Sequence, residues 1–271
     1  MGLGKAIGRT TLARIGYFFE RAEKTGPVRH FLETIRPVET EHALLRYGSE
    51  FDGGYLVPDD LEGIAACFSP GVQDNASFEL QVAERGIPCF LADYSVDTSP
   101  ADHPLIDFQR SFIGASRTGI YTTLNDWVAE KAPGDGDLLL QMDIEGAEYE
   151  ALLATDPEVL ARFRIMVVEF HGLDGVFSKR VLPIIEATFR KILPHFHIVH
   201  IHPNNCLPEV RYRDCDIPPV MEFTFLRKDR AQEATPSATF PHPLDQPNRP
   251  GNPDVTLPAL WLRRGDAQKA M

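Results

Sequence analysis

Asp143, Glu145, Glu148, Glu169, His171 and His202 are the residues of this sequence whose types and spacing could do chemistry. They stand at or just past the ends of short apolar runs, as in Leu138-Leu-Leu-Gln-Met-Asp-Ile-Glu-Gly-Ala-Glu-Tyr149 and Arg164-Ile-Met-Val-Val-Glu-Phe-His171. Carboxylates gathered at strand ends repel one another unless a cation or a proton intervenes. Oxygen ligands joined by imidazole suit a divalent ion such as Mg²⁺ or Mn²⁺. The expected ligands are Asp143, Glu169, His171 and His202, and the same four are the expected catalytic residues. A metal there would hold two vicinal hydroxyls of a substrate and acidify one of them. Without a metal, His171 or His202 would serve as general base. Glu169 and His171 alternate along one apolar run, so both leave the same face of a strand near Asp143. Glu145 and Glu148 equally well start a helix and complement its dipole.

A second set suggests a cofactor. Ser69-Pro-Gly-Val-Gln-Asp-Asn75 follows the first apolar run, and Asp93-Tyr-Ser95 follows the second. Gly71 lets the backbone approach a ligand closely, and the helix behind it offers free N–H groups. Asp93 stands 22 residues past Gly71, about where an acidic side chain accepts from ribose hydroxyls. The loop lacks the glycines that a dinucleotide pyrophosphate wants. An adenosyl ligand without phosphates does not need them, and the ammonium of a methionine tail would tolerate Asp74 or Glu79. This favours S-adenosylmethionine over a nicotinamide cofactor. On the same residues, Asp74, Asn75 or Ser77 would simply cap a helix. Tyr94 and Ser95 join Asp93 in the candidate set. Asp52 and Tyr55, around the turn Asp52-Gly-Gly54, would close over the cofactor.

Alternating elements must position these residues. Strands are expected at 64–68, 87–92, 138–142, 164–170, 197–201 and 220–226, with a shorter third strand at 110–114. Helical spacing appears at 76–85, from 123, at 147–154 and at 179–193. Continuous apolar strands alternating with helices imply a largely parallel sheet covered on both faces, the last two strands forming an antiparallel edge pair. Ligands then bind beyond the carboxyl ends of the strands.

The expected organisation is an N-terminal helical extension over 1–43, a catalytic domain over 44–228, and a proline-rich arm over 229–271 that packs on it. Residues 3–24 space Leu3, Ile7, Leu12, Ile15, Phe18 and Phe19 helically, with basic residues between them. That stretch is either a peripheral helix packed on the domain or a basic amphipathic helix lying on an anionic membrane surface. A net charge of −12 argues against a nucleic-acid partner. No apolar run approaches the ~20 residues of a membrane span. Four cysteines without a Cys-x-x-Cys pair fit a reduced, cytoplasmic protein, peripheral to the membrane at most.

Residues 138–152, with Asp143-Ile-Glu-Gly-Ala-Glu148 at their centre, resemble the Asp-x-Glu-Gly-x-Glu signature of FkbM-type methyltransferases. Gly71-Val-Gln-Asp-Asn-Ala-Ser-Phe-Glu79 is similar to the cofactor loop of that family, and Thr123-Leu-Asn-Asp126 to its turn before the signature strand. Arg46-Tyr-Gly-x-x-x-Asp-Gly-Gly-Tyr55 is similar to an N-terminal motif of one branch. The resemblance spans about 44–226. It implies a Rossmann-like, doubly wound class I methyltransferase fold, with a mostly parallel seven-stranded sheet carrying an antiparallel edge strand. It implies methyl transfer to oxygen, commonly on sugars or related natural products, so the expected partner is a small-molecule or glycan acceptor. By position, Ser69, Gly71, Asp74 and Glu79 would line the cofactor, with Asp93 on its ribose. Gln73 departs from the pattern, standing where the family has glycine. Two rival readings use the same residues: a metal-dependent hydrolase, and a cofactor-binding scaffold without catalysis.

Overall fold

A computed structural model describes Arg14, residues 21–237 and residues 240–261. The basic segment before residue 21 otherwise lies outside the described residues, as does the tail after Trp261. Residues 21–24, the end of the expected first helix, are not helical: Ala22 bridges Ser178, and the Glu23 N–H donates to the Phe177 carbonyl at 2.7 Å.

Among the described residues the first helix is α1 (Thr25–Thr34). A hairpin of β1 (Leu44–Gly48) and β2 (Gly54–Pro58) follows, turning at Asp52-Gly53. Then come β3 (Ala66–Pro70), α2 (Ser77–Glu84), β4 (Cys89–Ala92), β5 (Ile106–Gln109) and α3 (Leu124–Lys131). The second half contains β6 (Leu138–Met142), α4 (Glu148–Ala154), β7 (Phe163–His171), α5 (Leu182–Ile192), β8 (Phe196–Pro203) and β9 (Val220–Arg227).

The central sheet has seven strands in the order β8-β9-β7-β6-β3-β4-β5. Six run parallel, and β9 runs against its neighbours β7 and β8. This is the doubly wound class I methyltransferase architecture. The last two strands do pair antiparallel at one edge, with the antiparallel strand lying one place inside it.

Alternate residues of the central strands feed two separate cores. Phe68, Leu140, Met166 and Val168 face α1, α3 and α5. Cys67, Leu139, Ile165 and Val167 face α2 and the hairpin. Burial on both faces is why these strands read as unbroken apolar runs. The third parallel strand is Ile106–Gln109 rather than 110–114. Ile106 and Phe108 pack against the second core. Phe112–Ile113 instead pairs with Tyr121–Thr122 in a small separate ribbon.

Beyond β9 the chain is mostly irregular, as its prolines dictate. Thr235–Pro236 pairs with Val38–Glu39. Leu257, Trp261 and Asn248 are buried, and the Trp261 indole donates to the Asp216 carbonyl at 3.2 Å. Among the described residues no helix is long and apolar enough to cross a membrane.

The chain winds outward from β3 in one direction and returns to β6 on the other side. The strand order therefore reverses between β3 and β6, which opens a crevice at their carboxyl ends. There the two connecting loops touch. The Asp143 N–H donates to the Pro70 carbonyl at 3.2 Å. Gly71, at φ +91°, lies so close to the Asp143 carbonyl that a Cβ would overlap it. Gly71→Ala should therefore lose about 2 kcal/mol or more, through both backbone strain and steric overlap. Urea denaturation checks this; an unchanged midpoint would show that the two loops are not pressed together.

Candidate active site

A cavity of about 430 Å³ opens at this switch point. Its floor is the end of the sheet: Gln141 of β6 with Asp143 just past it, and Glu169 and His171 from β7. One wall is the loop Gly71–Asn75 with Phe78 and Glu79 of α2. The hairpin contributes Asp52, Gly53 and Tyr55, and the far side brings Asn204, Cys206, Leu207, Val220 and Arg249.

One fully buried carboxylate shapes the turn after β6. Glu148 accepts from the Ile144 N–H at 3.2 Å and the Gly146 N–H at 2.9 Å, so it folds the turn back onto the first residue of α4. The same Oε1 lies 3.2 Å from His171 Nδ1, and Oε2 accepts from the His171 N–H at 3.5 Å. This fixes the imidazole and aims Nε2 into the cavity. Around Nε2 stand Glu145 Oε2 at 3.4 Å, Glu169 Oε1 at 3.6 Å and Asp143 Oδ1 at 3.9 Å.

The acids of this cluster are far from ordinary carboxylates. Burial pushes Asp143 up to about 7; His171 opposes the shift, and Glu145 and Glu148 add to it. Burial, then the charge of Asp143, drives Glu169 well above the carboxylate range. For His171, burial works against the charged form, but the Glu148 hydrogen bond and the surrounding carboxylates raise its pKa overall. Asp143 Oδ1 and Glu169 Oε2 are buried without a hydrogen-bond partner, an arrangement that costs free energy unless a proton or cation supplies one. Asp143, Glu145 and His171 present ligand atoms within 4.8 Å of one another, the one such group among the described residues. The donor set of two carboxylates and an imidazole fits a divalent ion, and Glu148 on Nδ1 is the outer carboxylate such a ligand needs.

His202 is not part of this cluster. Strand β9 inserts between β7 and β8, and Glu222 sits opposite both Glu169 and His202 in the ladder. That separates Glu169 from His202 by two strand spacings, about 10 Å. His202 instead lies 3.2 Å from Asn248 Oδ1 and 3.7 Å from Asp245 Oδ1. Glu145, which the sequence leaves open between helix-starter and ligand, takes the place expected of His202.

The cofactor set divides in the same way. Asp52, Tyr55, Gly71, Asp74, Asn75 and Glu79 line the cavity; Ser69, Asp93, Tyr94 and Ser95 do not. Asp93 is buried beneath the loop, where it accepts from the Gln73 N–H at 2.8 Å and from the Ser95 N–H and hydroxyl at 2.7 Å each. It holds the loop rather than facing the cavity. Tyr94 packs against Phe112 and under Arg110. Ser69 lies between Glu79 Oε1 and Gln141 Oε1. One hydroxyl proton cannot serve both oxygens. Burial raises Glu79 to about 7, so a proton held on its carboxyl would complete the chain. Gln141 extends it to the Tyr55 hydroxyl at 3.2 Å. Gln141 was findable as the polar residue inside an apolar strand; Arg249, in an irregular arm, gave no signal.

Gln73 takes the left-handed backbone that glycine would otherwise supply, at φ 44°. Its side chain crosses to Glu145 Oε1 at 3.0 Å, joining the Gly71 loop to the acidic cluster.

The sheet order, with a cavity at its switch point, is that of the class I methyltransferase fold. Residues 86–205 match the family model described as methyltransferase FkbM domain. Over those residues the chain is similar to FkbM methyltransferase domains. No curated protein matches it. Among solved structures it is similar to a mutant of the 16S rRNA (adenine(1408)-N(1))-methyltransferase of Catenulisporales acidiphilia, at 9% identity over 69% of this chain and 97% of that one, TM-score 0.31. The fibrillarin pre-rRNA processing protein of Methanococcus jannaschii is 10% identical over 69% of this chain and 83% of its own, TM-score 0.36. The 1,6-didemethyltoxoflavin-N1-methyltransferase of Burkholderia thailandensis, solved with S-adenosylhomocysteine, is 12% identical over 61% and 72%, TM-score 0.28.

If Glu148 sets the His171 pKa, Glu148→Gln in metal-free protein should lower it. The raised folded value means that His171 adds stability fully below its unfolded pKa, about 6.5, and loses it as pH rises through the folded value. NMR titration of the imidazole should therefore show a downward shift in the variant; an unchanged pKa would remove Glu148 from this role.

Proposed function

We propose that this domain transfers a methyl group from S-adenosylmethionine to a hydroxyl oxygen of a sugar or a related natural product. A divalent ion, Mg²⁺ or Mn²⁺, would be held by Asp143, Glu145 and His171. The observation that carries this reading is the shared cavity. The Gly71 loop forms one wall, and the cluster around His171 Nε2 forms the floor a few residues away.

S-adenosylmethionine brings a methyl group already activated on a sulfonium. The work of the chain is alignment and removal of the acceptor proton. The loop Gly71–Asn75 and Glu79 hold the methionine end, where acidic side chains suit an ammonium. Asp52 and Tyr55 close over it from the hairpin. At the other end, polar walls suit an acceptor rich in hydroxyls, whereas the acidic lining repels phosphate.

Without a metal, Asp143 is better suited as the base than His171. Its pKa near 7 matches a proton acceptor at neutral pH. His171, held by Glu148 and raised, keeps its proton unless a metal displaces it. A divalent ion at this site would acidify a bound hydroxyl. Asp93 supports the reading indirectly, by fixing the loop through Gln73.

Titration calorimetry should detect S-adenosylhomocysteine binding at micromolar to millimolar ligand. No heat at millimolar ligand would sink the cofactor half. The metal half has a pH signature. Mn²⁺ must displace protons from both Asp143 and His171, so affinity should fall more than about tenfold per unit below pH 7, approaching about a hundredfold per unit once both are protonated. Paramagnetic detection of free Mn²⁺ measures this. Affinity that ignores pH between 5 and 8, or survives in Asp143→Asn, would place the metal elsewhere.

A further inference from the structure

The proline-rich arm brings one guanidinium into an otherwise acidic cavity. Arg249 lines it together with Asp52, Asp74, Glu79, Asp143, Glu145 and Glu169. The backbone of Arg249 is firmly placed. Its N–H donates to Asn205 Oδ1 at 2.7 Å, and its carbonyl accepts from Asn205 Nδ2 at 3.0 Å. The Asn252 N–H donates to the same carbonyl at 3.1 Å, and Asn252 Nδ2 donates to the Asn205 carbonyl at 2.8 Å. One residue earlier, buried Asn248 donates to Glu222 Oε1 at 2.8 Å and to Asp52 Oδ1 at 3.3 Å. A segment unable to join a sheet is thus held by asparagine side chains on both sides of Arg249.

The guanidinium itself makes no hydrogen bond or ion pair among the described residues, despite the acids around it. The nearby Arg46 differs, since its guanidinium donates to the Ser49 and Phe51 carbonyls of the hairpin. A planar fork of donors held at the edge of a cavity, with its backbone fixed and its head free, is built to receive a planar anion. Phosphate is disfavoured there, because it would bring a second negative charge among six carboxylates. A single carboxylate fits.

We infer that Arg249 binds a carboxylate that a ligand carries into this cavity. The inference rests on the reading of the cavity as a methyltransferase site, which offers two sources of that group. One is the amino-acid end of S-adenosylmethionine. The other is a carboxylated acceptor such as a uronic acid. Arg249 is in either case a binding residue and not a base.

The test compares full-length wild type with Arg249→Met and Arg249→Lys, after matched melting temperatures show that the fold is intact. Affinity is measured for S-adenosylhomocysteine and for 5′-methylthioadenosine, which lacks the amino-acid end. Glucuronate and glucose are compared by saturation-transfer NMR. If the cofactor supplies the carboxylate, Arg249→Met should weaken S-adenosylhomocysteine about tenfold or more and leave methylthioadenosine unchanged, with Lys recovering part of the loss. If the acceptor supplies it, only the preference for glucuronate over glucose should disappear. Unchanged ratios for both pairs in Arg249→Met would overturn the inference. Wild type that binds glucuronate through Arg249 but no S-adenosylhomocysteine would overturn the methyltransferase reading and leave this one standing. Wild type that binds neither ligand would overturn both.

Discussion

The site depends on one buried carboxylate. Glu148 is fully enclosed at the start of α4, and it holds three things at once: two N–H groups of its own turn, the backbone of His171, and one nitrogen of the His171 ring. The turn fixes where Asp143 and Glu145 emerge. The ring nitrogen fixes which way His171 faces. A carboxylate this deep is tolerated only because its oxygens are surrounded by donors. Gly71 adds the second constraint, since its lack of a Cβ lets its loop rest on the Asp143 carbonyl. Two halves of the chain are thereby brought into contact where the strand order reverses between β3 and β6.

Much of this was legible in the residues. Alternating apolar runs revealed the doubly wound sheet, because strands covered on both faces cannot hide their hydrophobicity. Asp143, Glu169 and His171 were legible as strand-end polar residues, and their grouping follows from a parallel sheet. What failed was what depends on strand order. The insertion of β9 between β7 and β8 is a long-range pairing with no local mark, so His202 looked like a neighbour of Glu169 when Glu222 stands between them. Asp93 takes a place that its spacing from Gly71 does not reveal, because its carboxylate accepts from the Gln73 N–H. The same residue at the same spacing thus supports the loop rather than facing the cavity.

The C-terminal arm shows how an irregular segment reaches a defined position. Its prolines remove backbone donors, so Asn205, Asn248 and Asn252 supply the hydrogen bonds that strands would otherwise provide. Asn248 alone touches both Glu222 of the sheet and Asp52 of the hairpin. The cavity is closed by parts distant in sequence, and no single motif contains it.

The central claim is that one cavity holds cofactor and metal side by side, between the Gly71 loop and the His171 cluster. A crystal grown with S-adenosylhomocysteine and Mn²⁺, with diffraction recorded at the manganese absorption edge, tests it most directly. The account predicts an anomalous peak at roughly 2.0–2.3 Å from oxygen or nitrogen atoms of Asp143 and His171, and S-adenosylhomocysteine against residues 71–75. Manganese bound beside His202 and Asp245, or S-adenosylhomocysteine outside this cavity, would contradict it.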